Sequence, residues 1–467
     1  MIELKEMTLR SFLYKVKEKA ETKNTKVLFS WTKKIAPKDA IHIFDVAESL
    51  GKDRIFWRNH TGTLTFVGIG SVLQLIAEEN RFQQLQRKWE EILQQAIIHN
   101  PYNEVGTGLV TLGGMSFDPL RPKSSLWEKY PTSQLTIPEY VFVQHKDQFY
   151  LTINRLVQED ENIHKLYGTL QQEEQTLLHS EFKDVSVHHR VMAKKEVEPE
   201  RWKDTVRLAV EEIKQQKAKK IVLAREMRIR LNEKAHIPIL LRKLLETQPN
   251  SYIFAFEHGD HCFLGATPER LVQVEGENLL STCLAGTARR GQTVEEDERI
   301  AQELLNDQKN RKEHDYVVKM IKESIEPYCE NVHIPKEPVV YPLRNLQHLY
   351  TPVTAKLKRQ FSVFDIIEQL HPTPALGGVP KEKALQFMRD HELLDRGWYG
   401  APIGWLDSNE NSEFAVAIRS GLVQKDEISL FAGCGVMRDS TPEMEYEETN
   451  MKFLPMLTIL EDHHESY

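Results

Sequence analysis

Leu264–Gly291 reads LGATPERLVQVEGENLLSTCLAGTARRG, and the fold is decided by how this stretch is resolved. Two glycine-bearing turns bracket a short hairpin and carry charged groups at its ends. Gly265-Ala266-Thr267-Pro268 brings a β-run to a rigid turn, because proline fixes its own φ and restricts Thr267. The first residue to emerge is the carboxylate of Glu269. Ala285-Gly286-Thr287-Ala288 makes a second small-residue turn, where backbone can approach a ligand closely, and Arg289 and Arg290 follow at once. A carboxylic acid and an amide-lined turn thus meet at one sheet edge. Two surface turns with solvated charges fit the same periodicity.

Around this stretch the chain has 467 residues, 40% apolar and 28% charged, with a formal charge of -8, an ordinary composition for a soluble globular protein. That charge leaves no basic footprint for nucleic acid or an anionic membrane, so a small metabolite is the natural partner. Cys262, Cys283, Cys329 and Cys434 are scattered with no C-x-x-C pair, which argues against a zinc site or a disulfide framework. The amphipathic, charged start MIELKEMTLRSFLYKVKEKAETK lacks the apolar run of a signal peptide, and no stretch matches a membrane span. A cytoplasmic protein is expected.

Residues 1–190 read as strands and helices with little chemistry, contributing to the same α+β fold as a catalytic region at 191–467. The strands Arg54 to Trp57 and Thr63 to Val67 flank the Asn59-His60-Thr61-Gly62 turn, Asn80 to Asn100 is an amphipathic helix, and Glu139 to Ile153 is a hairpin turning at Lys146-Asp147. The polar segment Leu166 to Lys195 is a connection or peripheral helix. Neither Gly68-Ile69-Gly70 nor Gly113-Gly114 belongs to a G-x-G-x-x-G, which speaks against a dinucleotide site. Beyond Glu200, Lys219-Lys220 leads into the strand Ile221 to Ala224, strands follow at Tyr252 to Phe256 and Leu279 to Cys283, and helices at Thr293 to Asn306 and Asn310 to Tyr328. Strands at Glu413 to Ile418 and Ile428 to Ala432 precede a Gly433-Cys434-Gly435 turn and a last helix from Pro442. Hairpin-adjacent strands in both halves predict large, mainly antiparallel sheets flanked by helices.

Some charges fall where a core is expected. Glu313 is in register with Val317, Met320 and Ile321 on an apolar helix face, where a carboxylate needs a cationic partner or a metal. In the last helix Ser440-Thr441-Pro442-Glu443 reads as a capping box, and in that register Glu445, Glu448 and Lys452 share a face. Three carboxylates from two helices suit a hard divalent cation, although a solvated charge cluster has the same spacing. The rigid His371-Pro372-Thr373-Pro374-Ala375-Leu376-Gly377-Gly378 loop and Arg419 at a strand end suit an anionic organic ligand, with a structural turn and a surface salt bridge as their plain alternatives.

Taken together, KIVLAR (220–225), GATPER (265–270), LAGTARRG (284–291), KNRKEHD (309–315), HPTPALGG (371–378) and PEMEYEETNMK (442–452) closely resemble, in order and spacing, the chorismate-utilising enzymes. That family comprises anthranilate, aminodeoxychorismate, isochorismate and salicylate synthases. The resemblance implies the anthranilate synthase component I-like fold, a pair of stacked, largely antiparallel sheets with helices outside. It further implies Mg2+ held by Glu313 and Glu448 with Glu445 adjoining, Lys220 as the base that activates water and Glu269 as the general acid. It places chorismate against Ala285, Gly286, Thr287, His348, Ala375, Leu376, Arg419, Gly433 and Lys452. Lys220 stands where anthranilate enzymes usually carry glutamine, so no glutamine-hydrolysing partner subunit is expected. Ala285 stands where aminodeoxychorismate synthases carry a lysine, and Cys283 where many relatives have proline, a change expected to loosen the second turn. The long N-terminal part, with GTGLVTLGGMSFDP at 106–119, resembles the menaquinone-pathway isochorismate synthases. Salicylate synthase and siderophore-pathway isochorismate synthase remain the rivals, and anthranilate synthase or a non-catalytic chorismate-binding protein fit less well.

Overall fold

The structure, a computed structural model, describes residues 7–180, 189–344 and 346–460. Its frame is a 13-stranded and a 10-stranded sheet, each drawing strands from both halves of the chain. In the larger sheet the neighbours Lys220–Leu231, Glu427–Val436, Ser420–Gln424, His261–Thr267 and Tyr252–His258 continue into Arg54–Arg58 and Leu64–Ile69. In the smaller one Leu346–Leu357, Asn278–Arg289, Arg270–Glu275, Ser412–Val416 and Pro402–Asp407 continue into Val110–Met115 and Ser133–Ile137. The pairing is antiparallel apart from Val27–Ile35 with Ile97–His99, so the class is α+β, as expected.

The alternation of strand side chains explains why so many strands read as unbroken apolar runs: both faces are buried. Phe254 and Phe256 join Trp57, Phe66, Leu112, Trp405 and Phe431 in an aromatic-rich core between the sheets. Their neighbours Ile253 and Ala255 point the other way, into a core with the helices Leu9–Lys23, Ile237–Thr247 and Pro442–Leu460. The outer face of the smaller sheet packs on the helices Arg81–Gln95, Gln308–Ile325 and Val363–Leu370. No helix among the described residues is long and apolar enough to cross a membrane.

Several boundaries differ from the sequence expectation. The helix expected over Asn80 to Asn100 ends at Gln95, because the β-branched pair Ile97-Ile98 continues as an edge strand beside Phe29 and Ser30. The Leu166 to Lys195 segment divides into the helix Ile163–His179 and the strand Val191–Glu196, with 181–188 outside the described residues; of the amphipathic start of the chain, residues 1–6 also lie outside them and Leu9–Lys23 is helical. Gly433-Cys434-Gly435 is no turn but lies within the strand Glu427–Val436, paired with Ala224, Leu223 and Val222. The last helix is capped by Thr441, whose hydroxyl accepts from the Met444 amide, and not by a Ser440 to Glu443 box.

Candidate active site

Two chain crossovers side by side build the centre of the site. The strand His261–Thr267 belongs to the larger sheet and Arg270–Glu275 to the smaller, so Pro268 and Glu269 carry the chain from one to the other. Ser412–Val416 and Ser420–Gln424 cross back, with Arg419 at the step in the left-handed region at φ 50°. The crossovers are tied together by backbone: the Val416 amide donates to the Glu269 carbonyl at 2.9 Å and the Ala266 amide to the Arg419 carbonyl at 3.0 Å. Gly265 is required by this approach, since a Cβ there would sit 2.7 Å from the Arg419 carbonyl oxygen. Glu269 and Arg419 thereby enter a cavity of about 770 Å3 between the sheets.

The second expected turn, Ala285 to Ala288, is instead a β-bulge inside the long strand Asn278–Arg289, and Cys283 sits well within that strand. The bulge falls between Ala285 and Thr287, with Gly286 at φ 78°. It turns Thr287 toward His348 on the partner strand, where the Thr287 hydroxyl and His348 Nδ1 are 2.9 Å apart, and Asn310 Oδ1 accepts from the Thr287 amide at 3.3 Å. Arg289 and Arg290 are absorbed structurally, pairing with Glu296 and Asp297 at 2.6 Å each.

Fourteen sequence-selected residues line this one cavity: Lys220, Glu269, Ala285, Gly286, Thr287, Glu313, His348, Ala375, Leu376, Arg419, Gly433, Glu445, Glu448 and Lys452. Gly377 and Gly378 do not; Gly378 is pressed against the Lys220 carbonyl, 2.4 Å from where its Cβ would be. Lys220 donates to Glu313 Oε1 at 2.6 Å and stretches over Gly435, whose missing side chain leaves it room. Lys452 donates to Glu448 Oε1 at 2.6 Å and to the Gly433 carbonyl at 2.8 Å. The apolar-face position of Glu313 is thus satisfied by a lysine. Among the described residues the ligand atoms of Asp45, Glu48 and His236, outside this cavity, all lie within 4.8 Å of one another; those of Glu313, Glu445 and Glu448 do not.

Electrostatics separate these groups. Burial pushes the Glu269 carboxyl up to about 7 although Arg419, Lys452 and Lys220 all pull it down, and among the described residues it has no ion-pair partner. A carboxyl in that range keeps its proton for much of the time at neutral pH. Arg419 is 8% exposed and, among the described residues, has neither an ion pair nor a side-chain hydrogen bond, so its guanidinium fork is free for an anion from the cavity. His348 is driven down to about 3, by burial first and then by Arg419 and Lys452, and is a neutral ring with Nε2 unpartnered. Burial beside Glu448 raises Glu445, whose Oε2 also lacks a partner. Tyr399 lines the cavity too, as do Lys309 and Asn310 of the KNRKEHD motif, and none of the three had a site role from sequence. Asn310 lies in the first turn of the helix Gln308–Ile325 and Tyr399 within a turn, so only the folded chain brings them in.

Similarity to known proteins agrees with this geometry. The profile of a family described as chorismate binding enzyme matches residues 14–461. Isochorismate synthase MenF of Bacillus subtilis is 38% identical over 98% of this chain and 99% of its own length. The salicylate biosynthesis isochorismate synthase of Pseudomonas aeruginosa is 31% identical over 94% of this chain and 91% of its own. The solved structure of MenF, the menaquinone-specific isochorismate synthase from Escherichia coli, superposes with a TM-score of 0.79 at 23% identity, covering 96% of this chain and 100% of that one. The chain belongs to the chorismate-binding enzymes.

Proposed function

We propose that this protein is an isochorismate synthase serving menaquinone biosynthesis, which converts chorismate to isochorismate by adding water at ring C2 while the C4 hydroxyl leaves. The observation that carries the reading is one cavity holding a carboxyl protonated near pH 7, a lysine and a free buried arginine. Water addition with loss of hydroxide needs a base on one side and an acid on the other. Glu269 gives its proton to the departing C4 hydroxyl. Lys220 takes a proton from the attacking water, a role for the neutral amine, because an ammonium has no lone pair to offer; the amine keeps an N–H for Glu313 Oε1. Arg419 grips a carboxylate of the dianionic substrate, and neutral His348 with Thr287 meets its hydroxyl and carboxylate edge.

The donor set of Glu313, Glu445 and Glu448 fits a magnesium ion, for these are hard oxygen ligands and Glu445 Oε2 is buried without a partner. When bound, the ion supplies positive charge that neutralises the ring carboxylate. Incubating the protein with chorismate and Mg2+ and separating products by chromatography tests the reading. Isochorismate without salicylate or pyruvate is expected. Salicylate with pyruvate would make it a salicylate synthase, and anthranilate formed with ammonia would overturn it.

A further inference from the structure

The strand that carries Lys220 has a gap along one edge. On one side Ile221 to Arg230 pair continuously with Glu427–Val436. On the other, Lys220 and Ile221 pair with Gly378–Val379, and Met227 onward pair with Val191–Glu196. Between them the backbone groups of Val222 and Ala224 face no strand. Two buried charged side chains occupy this gap, of which Arg396 also lines the cavity. Arg396 Nη2 donates to the Val222 carbonyl at 2.8 Å, and Glu392 Oε2 accepts from the Ala224 amide at 2.8 Å. The two side chains close on each other in a bidentate pair, 2.7 Å for both contacts, at 4% and 5% exposure. Arg396 Nη1 also donates to the Leu376 carbonyl at 3.0 Å, and its guanidinium lies over the Phe117 ring at 4.3 Å.

We propose that Arg396 and Glu392 are positioning residues. They act as a surrogate strand that locks the Lys220 strand to the Ala375–Leu376 wall of the cavity. One guanidinium reaches Val222, Leu376 and Glu392 at once, a geometry that lysine cannot reproduce. A buried pair of this kind contributes little net stability against an apolar replacement, so its value lies in geometry. The proposal rests on the assignment of Lys220 as the base.

The test uses Arg396→Lys, the double variant Arg396→Met/Glu392→Leu, and Lys220→Ala alongside, each with chorismate and Mg2+. In folded protein, kcat is expected to fall about 10- to 100-fold with KM within about three-fold, as misplacement of a catalytic group does. The alkaline limb of the pH–rate profile, which belongs to Glu269 on the crossover between two other strands, is expected to stay in place. Wild-type kcat in a folded double variant would overturn the proposal, as would a kcat loss that moves the Glu269 limb, since that means general loosening of the cavity. If Arg396→Lys does not fold, the double variant decides; if neither folds, the pair is a stability element and the proposal is wrong. Full turnover in Lys220→Ala would instead show that the base assignment had failed.

Discussion

Glu269→Gln separates the acid role from mere burial, and the structure sets the size of the effect. Its carboxyl lies at about 7 in the folded protein against an ordinary 4.5, with burial outweighing Arg419, Lys452 and Lys220. The folded chain therefore holds this proton to higher pH than the unfolded chain does. The associated stability is fully present below pH 4.5, erodes as pH rises, and is gone above about 7. Between about pH 5 and pH 8 the loss integrates to roughly 2.5 kcal/mol. Glutamine imitates the protonated form and cannot ionise, so the unfolding free energy from urea titrations should fall less between those pH values in the variant than in the parent, by about that amount. Turnover should drop about 10^2- to 10^4-fold. The parent kcat/KM, which reports free enzyme, should decline above about pH 7, and this limb should vanish in the variant. In the substrate complex, carboxylates against Arg419 and Lys452 cancel the cations that lower Glu269, so the limb in kcat should lie at higher pH than that in kcat/KM. A variant that kept near-parental turnover with the alkaline limb intact would refute the assignment.

Three further outcomes follow from the same cavity. Arg419→Met should raise the KM for chorismate about 10- to 100-fold, the worth of charge-assisted bonds to a carboxylate. The melting temperature should not fall, because the change removes a buried cation that has no ion-pair partner among the described residues; unchanged affinity by calorimetry would exclude Arg419 as the anion site. Glu448→Ala strips Lys452 of its 2.6 Å partner and removes one oxygen donor, so both Mg2+ binding measured without substrate and Mg2+-stimulated turnover should disappear together; their persistence would move the metal site elsewhere. Gly286→Ala forces φ 78° on a residue with a Cβ, 3.2 Å from Leu349 Cδ1 and 3.3 Å from Asn310 Cβ. It should cost about 1–2 kcal/mol in denaturant unfolding and raise KM through displacement of Thr287.

The residues that line the cavity were legible in sequence where charge and local geometry coincide. Glu269 after Thr267-Pro268, Arg419 after an apolar run and the Glu445, Glu448, Lys452 face each announce a charge at a structurally constrained position. The bulge at Gly286 was not legible, because a glycine with positive φ between small residues has the same local signature in a turn as in a strand. The same ambiguity made Gly433-Cys434-Gly435 read as a turn. Its glycines answer to a long-range neighbour instead: a Cβ at Gly435 would lie 2.5 Å from Lys220 Cε. Tyr399, Arg396 and Glu392 escaped notice for a related reason, since their importance comes from which strand they meet and no local spacing encodes it.

What sets Glu269 and Arg419 apart is clearest from a second pair of crossovers in the N-terminal half. There Leu64–Ile69 in the larger sheet leads to Leu73–Ile76 in the smaller, and Ser133–Ile137 crosses back to Tyr140–His145. The backbone ties are of the same kind, the Glu139 amide to the Ile69 carbonyl and the Val72 amide to the Ile137 carbonyl, both at 2.9 Å. A glutamate stands at this step too, but Lys52 and Arg155 hold Glu139 at 2.8 Å each, and Glu173 and the Tyr140 hydroxyl complete the cluster. Its charge is spent within the protein. At the C-terminal crossovers Glu269 and Arg419 share neither an ion pair nor a hydrogen bond, and the cavity between the sheets remains in front of them. One arrangement of backbone therefore yields a closed structural joint at one end and, at the other, a step whose charges face an open cavity. The difference is whether neighbouring side chains or an incoming dianion complete the electrostatics of the charged residues at the step.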